Sequence, residues 1–186
     1  MDTQNGHKVL SSFLTLAVSF LILFSTSPTE ASSSSQLVKN VCKETINYAK
    51  CIEALEADPR TKSPKNLNTF AKDSISLAIK NAKDSLYFIQ KMLKDKKMSG
   101  NSSTRAVLKQ CVESYKAVIA SFKSARTELS EDAMSANYDV KTAVDYIDSC
   151  ESEMSLKNVL VSSMPERNNQ VRLYSSIGYV ITNKLD

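Results

Sequence analysis

Four stretches of the chain place apolar residues three or four positions apart, the spacing that gathers them on one face of an α-helix. The stretches cover residues 67–97, 104–129 and 133–154, and the fourth follows Pro165. In the second, the spacing alternates between 3 and 4 from Leu108 to Leu129, as in a heptad seam. No segment shows the alternation typical of a strand, so the pattern predicts an all-α protein.

Short connections join the four predicted helices, for example Ser130-Glu131-Asp132 between the second and the third. Such connections place consecutive helices side by side and antiparallel, which predicts an up-down-up-down four-helix bundle. Ahead of the bundle, a short helical stretch from Cys51 to Ala57 ends at Asp58-Pro59-Arg60, and a loop over 61–66 follows. The sequence therefore predicts a bundle with an N-terminal helical extension.

The first 31 residues have the features of a signal peptide. An uncharged, largely apolar stretch runs from Val9 to Phe24, and Thr29 and Ala31 suit the −3 and −1 positions of a cleavage site. A membrane anchor is the alternative, but this stretch is shorter than the roughly 20 residues that a spanning helix needs. We therefore expect a signal peptide over residues 1–31 and a single domain over 32–186.

Composition excludes several kinds of chemistry from the predicted domain. The only histidine, His7, lies in the predicted signal peptide, so neither a Ser-His pair nor a histidine-ligated zinc site is expected. The net charge of +4 is mild, and no nucleic-acid-binding motif accompanies it. The sequence predicts a binding protein with no cofactor and no metal. A small helical carrier of an apolar ligand and a carboxylate-based enzyme are the remote alternatives.

The four cysteines indicate a disulfide framework, because their number is even and the chain is predicted to be exported. Cys111 and Cys150 both occupy seam positions, 20 residues before Glu131 and 19 after it. In an antiparallel hairpin folded at Glu131 they reach the same level, which predicts a Cys111–Cys150 bridge. Cys42 and Cys51 then pair by elimination, and their closeness in the sequence makes this bridge easy to form.

Distinctive motifs accompany these cysteines. They are Cys42-x8-Cys51 with Ala54-Leu55-Glu56-Ala57-Asp58-Pro59-Arg60, then Cys111-Val112-Glu113-Ser114-Tyr115, Ser135-Ala136-Asn137-Tyr138-Asp139-Val140 and Asp145-Tyr146-Ile147-Asp148-Ser149-Cys150-Glu151. With them, the chain resembles the plant invertase and pectin methylesterase inhibitor family over essentially all of residues 32–186. The resemblance implies a four-helix bundle with an N-terminal helical hairpin, and cysteines bridged first to second and third to fourth.

The resemblance also implies a function. Members are extracellular or vacuolar proteins that inhibit pectin methylesterase or acid invertase by covering the substrate cleft in a non-covalent one-to-one complex. Invertase inhibitors of the family often carry Pro-Lys-Phe between the second and third bundle helices, where this chain has Thr127-Glu128-Leu129. The expectation is a monomeric inhibitor of pectin methylesterase in the apoplast, with acid invertase as the alternative target and the vacuole as the alternative compartment.

Polar positions of the family's contact surface correspond to Glu113, Asn137, Asp145 and Ser149, which we take as candidate interface residues. The alternative is that they are ordinary solvated helix residues, with the Ser149 hydroxyl bonded back to its own helix. Ala117, Ala120 and Ser152 stand where acidic residues are found in a member of the family. Since acidic groups are missing at these three positions, tight inhibition does not follow from the resemblance.

Two further features of the sequence concern its surface. Asn101-Ser102-Ser103 is an N-glycosylation sequon in a predicted loop. Lysines at 91, 94, 96 and 97 cluster at a predicted helix end, where cations suit the helix dipole. We interpret this cluster first as a solvated helix end, and contact with anionic pectin is the alternative.

Overall fold

The computed structural model describes residues 35–185, and the predicted signal peptide lies outside them. Over these residues the secondary structure is helical, as the apolar pattern predicts. The helices are α1 Gln36–Lys43, α2 Tyr48–Glu56, α3 Pro59–Lys62, α4 Leu67–Lys94, α5 Lys96–Ser99, α6 Ser102–Glu128, α7 Ala133–Leu156 and α8 Met164–Thr182. Among them α4, α6, α7 and α8 are long, and the other four are short.

The four long helices form the predicted bundle, in which each packs against the next and α8 returns to α4. Contacts between α6 and α7 show their direction. The Cys111–Cys150 bridge joins them at one level. At another level, the Ser121 hydroxyl donates a hydrogen bond of 2.7 Å to the Asp139 carbonyl. The residue number therefore increases along α6 while it decreases along α7 in the same direction, so the two helices are antiparallel. The up-down-up-down prediction is confirmed.

The core consists of the seam residues that the spacing singles out. Along α6 every seam member from Leu108 to Ala125 is buried, and Leu129 at the helix end is partly exposed. Val140, Ala143, Ile147 and Cys150 of α7 have no exposed surface. Burying this apolar surface is the main force that holds the four helices together. Large side chains fill the space between them, among them Phe70, Ile75, Ile89, Tyr115, Phe122, Ile147, Met164, Ile177 and Ile181.

The first long helix is shorter than predicted. The sequence pattern extends it to Lys97, but α4 ends at Lys94 because Asp95 takes an extended conformation. The Asp95 carboxylate then accepts a hydrogen bond of 2.8 Å from the Lys97 N–H and begins the one-turn helix α5. Aspartate favours such capping positions over helix interiors, which is why the apolar spacing alone misses this break.

Two prolines lie inside helix starts rather than beyond helix ends. Pro165 is in the first turn of α8, where the absent N–H costs nothing, so α8 begins one residue before it. Pro59 begins α3, whose cap is Asp58, so the Asp58-Pro59-Arg60 turn both follows α2 and starts the next helix. The predicted loop over 61–66 is correspondingly shorter.

The N-terminal extension, α1 to α3, is attached to the bundle near the end of α8. Between α1 and α2, the Ile46 N–H donates to the Ser176 hydroxyl over 3.1 Å, and Lys184 forms an ion pair of 2.7 Å with Glu44. Inside the extension, the Thr61 hydroxyl donates to the Leu55 carbonyl at 2.6 Å. These contacts hold the extension against α8.

Both disulfides pair as the sequence predicts. Cys111 and Cys150 have Cα atoms 4.7 Å apart, and those of Cys42 and Cys51 are 5.4 Å apart. All four cysteines are fully buried. The first bridge joins two long helices across the bundle, whereas the second closes a short loop within the extension.

We expect the two bridges to contribute unequally to stability. Loop-closure entropy gives about 4 kcal/mol for the Cys111–Cys150 loop and about 2.7 kcal/mol for the Cys42–Cys51 loop. Replacing each pair by alanine and measuring unfolding in denaturant should therefore show the larger midpoint loss for Cys111→Ala/Cys150→Ala. Equal losses would contradict this account.

A second prediction concerns Asp58, whose carboxylate accepts hydrogen bonds of 2.7 and 3.0 Å from the Arg60 guanidinium. These bonds lower the pKa of Asp58 from 3.8 to about 2. The ionised form therefore stabilises the fold above about pH 4, and this contribution is lost as the pH falls through about 2. Asp58→Asn should lower stability near pH 5 and flatten the loss between about pH 4 and 2.

The control for this measurement is Asp84→Asn. Asp84 pairs with Lys80 at 3.2 Å, but both side chains are largely in solvent. Because such exposed pairs contribute little, this variant should have the stability of the wild type both near pH 5 and between about pH 4 and 2. If both variants showed the same reduced loss of stability between about pH 4 and 2, the assignment of this loss to Asp58 would be wrong.

Candidate functional site

The outer surface of α7 carries a row of side chains with no place in the core. Tyr138, Asp145 and Ser149, with the adjacent pair Lys141 and Thr142 between the first two, are spaced so that all five share one helix face that points away from the buried seam. We call these five residues the α7 face. Apart from the partly buried Thr142, they are exposed.

One side of the α7 face borders a groove of ≈ 580 Å³ between α7 and α8. Its walls combine aromatic, apolar and charged groups with hydroxyls. Lining residues are Ile46, Tyr138, Lys141, Thr142, Val144, Asp145, Arg172, Ser175, Ser176 and Tyr179. The Lys141 ammonium lies 5.0 Å from the centre of the Tyr179 ring, a cation–π contact. Ile46 brings the N-terminal extension into this groove.

The other side borders a shallow polar groove at the α6–α7 junction, whose lining includes Gln110, Asp148, Ser149 and Ser152. Asp145 lines both grooves. Its carboxylate has no hydrogen bond or ion pair with any residue of the described range. Asp145 is therefore an anion at the centre of the surface that is free to contact a partner.

A polar network beneath this surface fixes the neighbouring charges. Arg172 donates to Asp148 at 2.6 Å and to both carboxylate oxygens of Glu151 at 2.7 and 2.9 Å, and it lowers the pKa of Glu151. Asn168 donates to Glu151 at 2.9 Å and accepts from the Tyr115 hydroxyl at 3.0 Å. The network joins α6, α7 and α8, so Asp148 and Glu151 are held by Arg172 while Asp145 is not.

Two of the predicted interface residues, Asp145 and Ser149, lie one turn apart on the α7 face. The Ser149 hydroxyl donates to the Asp145 carbonyl at 3.1 Å, which is a bond back to its own helix. Such a bond leaves the oxygen able to accept, but it occupies the hydroxyl hydrogen. The interface role of both residues stays a prediction.

Glu113 lies on the neighbouring helix α6. It is exposed and forms an ion pair of 2.8 Å with Lys116, one turn further on. Ala120 and Ser152 are also exposed, and Ala117 is partly exposed. The three positions where this chain departs from the acidic residues of that family member are therefore on the surface, where they alter charge and not packing.

Asn137 has a structural role that its sequence position does not show. Its side-chain N–H₂ lies 2.8 Å from the Thr182 hydroxyl, 2.9 Å from Asn183 Oδ1 and 3.2 Å from the Tyr179 carbonyl. The amide has two hydrogens for these three acceptors, so at most two strong bonds form at once. Asn137 thereby joins the start of α7 to the end of α8.

Sequence reasoning did not single out the aromatic and aliphatic side chains of this surface. Tyr138 is 69% exposed, Ile46 is 66% exposed and Tyr179 is 38% exposed. Tyrosine is enriched at protein interfaces, because it combines a large apolar ring with a hydroxyl. The available signal was that Tyr138 falls outside the buried seam of Val140, Ala143 and Ile147, so it had to point outward.

The chemistry of the α7 face suits binding. Both of its aliphatic hydroxyls, Thr142 and Ser149, donate to carbonyls of their own helix, and neither is bonded to a side chain that could act as a base. Residues 35–185 contain no group of three or more histidine, cysteine, aspartate or glutamate side chains that could hold a metal ion. None of the helices in this range combines the length and apolar character needed to span a bilayer.

The sequon asparagine, Asn101, is exposed and caps the N-terminus of α6. Its Oδ1 accepts a 2.7 Å bond from the Ser103 N–H. Ser102 and Ser103 belong to the first turn of α6, so the predicted loop is shorter than its five residues. Glycosylation at Asn101 stays a prediction.

Comparison with known proteins identifies the scaffold. The model of the plant invertase/pectin methylesterase inhibitor family matches residues 36–181, which begin with α1 and end one residue before the end of α8. The chain belongs to this family. The expectation drawn from the cysteine motifs is confirmed.

Relatives and solved structures agree with the family. A pectinesterase inhibitor of Actinidia deliciosa is 28% identical over 92% of this chain and 91% of its own length. Pectinesterase inhibitor 1 of Arabidopsis thaliana is 27% identical over 89% of this chain and 90% of its own. A mutant form of an Arabidopsis pectin methylesterase inhibitor superposes with a TM-score of 0.68 at 23% identity, covering 83% of this chain and 99% of that one. The structural similarity shows the fold.

The geometry predicts different effects for Asn137 and Asp145. Asn137→Ala should lower the free energy of unfolding by about 0.5–1.5 kcal/mol, because it removes the hydrogen bonds that join α7 to the end of α8, of which the bond to Thr182 is partly buried. Asp145→Ala should change it by less than about 0.5 kcal/mol, because the carboxylate has no partner. Denaturant unfolding of both variants measures this difference. An Asn137→Ala variant with the same free energy of unfolding as the wild type would contradict the structural role of Asn137.

Proposed function

We propose that this chain is an inhibitor of pectin methylesterase. The observation that carries the proposal is similarity to pectinesterase inhibitors along about nine-tenths of the chain and of their own length. Inhibition is non-covalent and one-to-one, and the inhibitor covers the substrate cleft of the enzyme. In this proposal the protein has no catalytic activity of its own.

The α7 face is the surface that we assign to the enzyme. Tyr138 supplies apolar area, Lys141 and Asp145 supply charges of both signs, and the flanking grooves can accept side chains of a partner. Interfaces obtain most of their binding energy from a few such aromatic and charged anchors. Glu113 on α6 extends this surface, whereas Asn137 contributes by holding α7 and α8 together.

Acid invertase is less well supported as the target. The relatives named above are pectinesterase inhibitors. In addition, Thr127 and Glu128 are the last residues of α6 and Leu129 is its cap, with the Thr127 hydroxyl bonded to the Lys123 carbonyl at 3.1 Å. The Pro-Lys-Phe tripeptide of invertase inhibitors has no counterpart in this helical segment.

The proposal includes export of the protein. Residues 1–31 act as a signal peptide, and residues 32–186 form the mature inhibitor in the apoplast, with the vacuole as the alternative compartment. The two buried disulfides support an oxidising compartment. The mature protein is a monomer that is glycosylated at Asn101.

Titration of purified pectin methylesterase with the mature protein should abolish ester hydrolysis at one inhibitor per enzyme, while acid invertase keeps its activity. Tyr138→Ala should raise the inhibitor concentration needed for half inhibition by about tenfold, as loss of an interface anchor does. The measurement is initial rate against inhibitor concentration, at fixed enzyme and over acidic to neutral pH.

The matched control is Tyr87→Ala on α4. Tyr87 is 70% exposed, close to the 69% of Tyr138, so the two variants lose similar exposed rings from different faces. Tyr87→Ala should inhibit like the wild type. If both variants weakened inhibition equally, the assignment of the α7 face would be overturned. If the wild-type protein inhibited neither pectin methylesterase nor acid invertase, the proposed function would be overturned.

A further inference from the structure

One end of the bundle carries a concentration of positive charge. Six cations lie on the last turn of α4, on α5 and on the first two turns of α6, and we call them the basic end: Lys91, Lys94, Lys96, Lys97, Arg105 and Lys109. All six are exposed. The segment 91–109 contains one acid, Asp95, so its net charge of +5 exceeds the +4 of the whole chain.

These cations have no ion-pair partner within residues 35–185, where the ion pairs involve other lysines and arginines. Asp95 uses its carboxylate to cap α5 through the Lys97 N–H. At the adjoining end of α7, Glu151 is paired with Arg172 and Glu153 with Lys157. These two acids at the end of α7 are therefore already engaged.

Stability of the fold accounts for only part of this arrangement, in which Arg105 donates to the Ser99 carbonyl at 3.4 Å. The helix dipole favours Lys91 and Lys94 at the end of α4, but it disfavours Arg105 in the first turn of α6. Lys91 and Lys94 are three residues apart on α4, and Arg105 and Lys109 are four apart on α6, spacings at which like charges repel. An external anion would relieve this repulsion.

We propose that the basic end binds de-esterified pectin, a linear polyanion with a carboxylate on each uronate sugar. Five of the six cations are lysines, whose ammonium groups move on flexible stems and can follow a flexible polymer. Each carboxylate that a lysine neutralises releases a condensed counterion, as in binding to other polyanions. The proposed target enzyme produces these carboxylates by hydrolysing methyl esters, so the inhibitor is retained where the enzyme has acted.

The surface favours a polysaccharide over other anionic polymers and over membranes. Segment 91–109 contains no phenylalanine, tyrosine or tryptophan, so it offers no ring on which a nucleic-acid base could stack. α5 has only four residues, too few for the amphipathic helix that embeds in a lipid surface. Naming pectin as the polyanion rests on the proposed function, whereas the affinity of the surface for polyanions does not.

The test measures binding of the mature protein to immobilised polygalacturonate at increasing salt. We expect the wild type to bind polygalacturonate but not fully methyl-esterified pectin. The slope of log affinity against log salt is negative, and its magnitude should fall by about 2 in Lys94→Gln/Lys96→Gln/Lys97→Gln, because three counterion-releasing contacts are lost. Arg105→Gln/Lys109→Gln is the second variant, and it should reduce the magnitude of the slope by a smaller amount.

The matched control is Lys65→Gln/Lys72→Gln/Lys123→Gln, which removes the same charge from exposed lysines at the opposite end of the bundle. Its slope should equal that of the wild type. The proposal would be overturned if both triple variants reduced the magnitude of the slope equally. It would also be overturned if the wild type bound single-stranded DNA or phosphatidylserine vesicles more tightly than polygalacturonate.

Inhibition of pectin methylesterase, measured in parallel, separates the two proposals. The basic-end triple variant should inhibit like the wild type, and loss of inhibition would show that this end belongs to the enzyme interface instead. If the wild type binds polygalacturonate in the predicted way and inhibits neither enzyme, the proposed function fails and the polyanion surface is supported.

Discussion

The bridge between Cys111 and Cys150 is the constraint on which the arrangement of α6 and α7 depends. It joins two seam positions, so it fixes both the level at which the helices meet and the sides that face each other. With the seam turned inward, the opposite side of α7 must face solvent, and Tyr138 and Asp145 lie there. A cross-link in the core thus determines which residues can meet a partner.

Much of the fold could be predicted because its causes are local or periodic. The seam spacing of α6 and α7 predicted that these helices pack in a bundle, and the nearly equal distances of Cys111 and Cys150 from Glu131 predicted the long bridge. The break at Asp95 was missed, because it depends on a side chain capping the next turn and not on apolar spacing. The hydrogen bonds of Asn137 could not be predicted, since its acceptors Thr182 and Asn183 are far away in the sequence and only the folded chain brings them close.

Polar residues of the bundle divide into two groups with different physical roles. Glu151 accepts hydrogen bonds from Asn168 and Arg172, and Asn168 accepts one from Tyr115, so this network joins three helices and removing a member would leave others unpaired. Asp145 and the lysines of the basic end are left to solvent. Tyr138 lies near the start of α7 and the basic end adjoins its last turn, so an enzyme and a polymer could occupy separate regions of one inhibitor.

The short Cys42–Cys51 bridge has a consequence beyond the extension itself. Ile46 lies inside the loop that this bridge closes, and it forms part of the wall of the groove beside α7. The loop is further restrained by the bond from the Ile46 N–H to Ser176. Conformational freedom at this wall is therefore lost when the protein folds and oxidises, so little is left to lose on association. The bridge makes the groove preorganised.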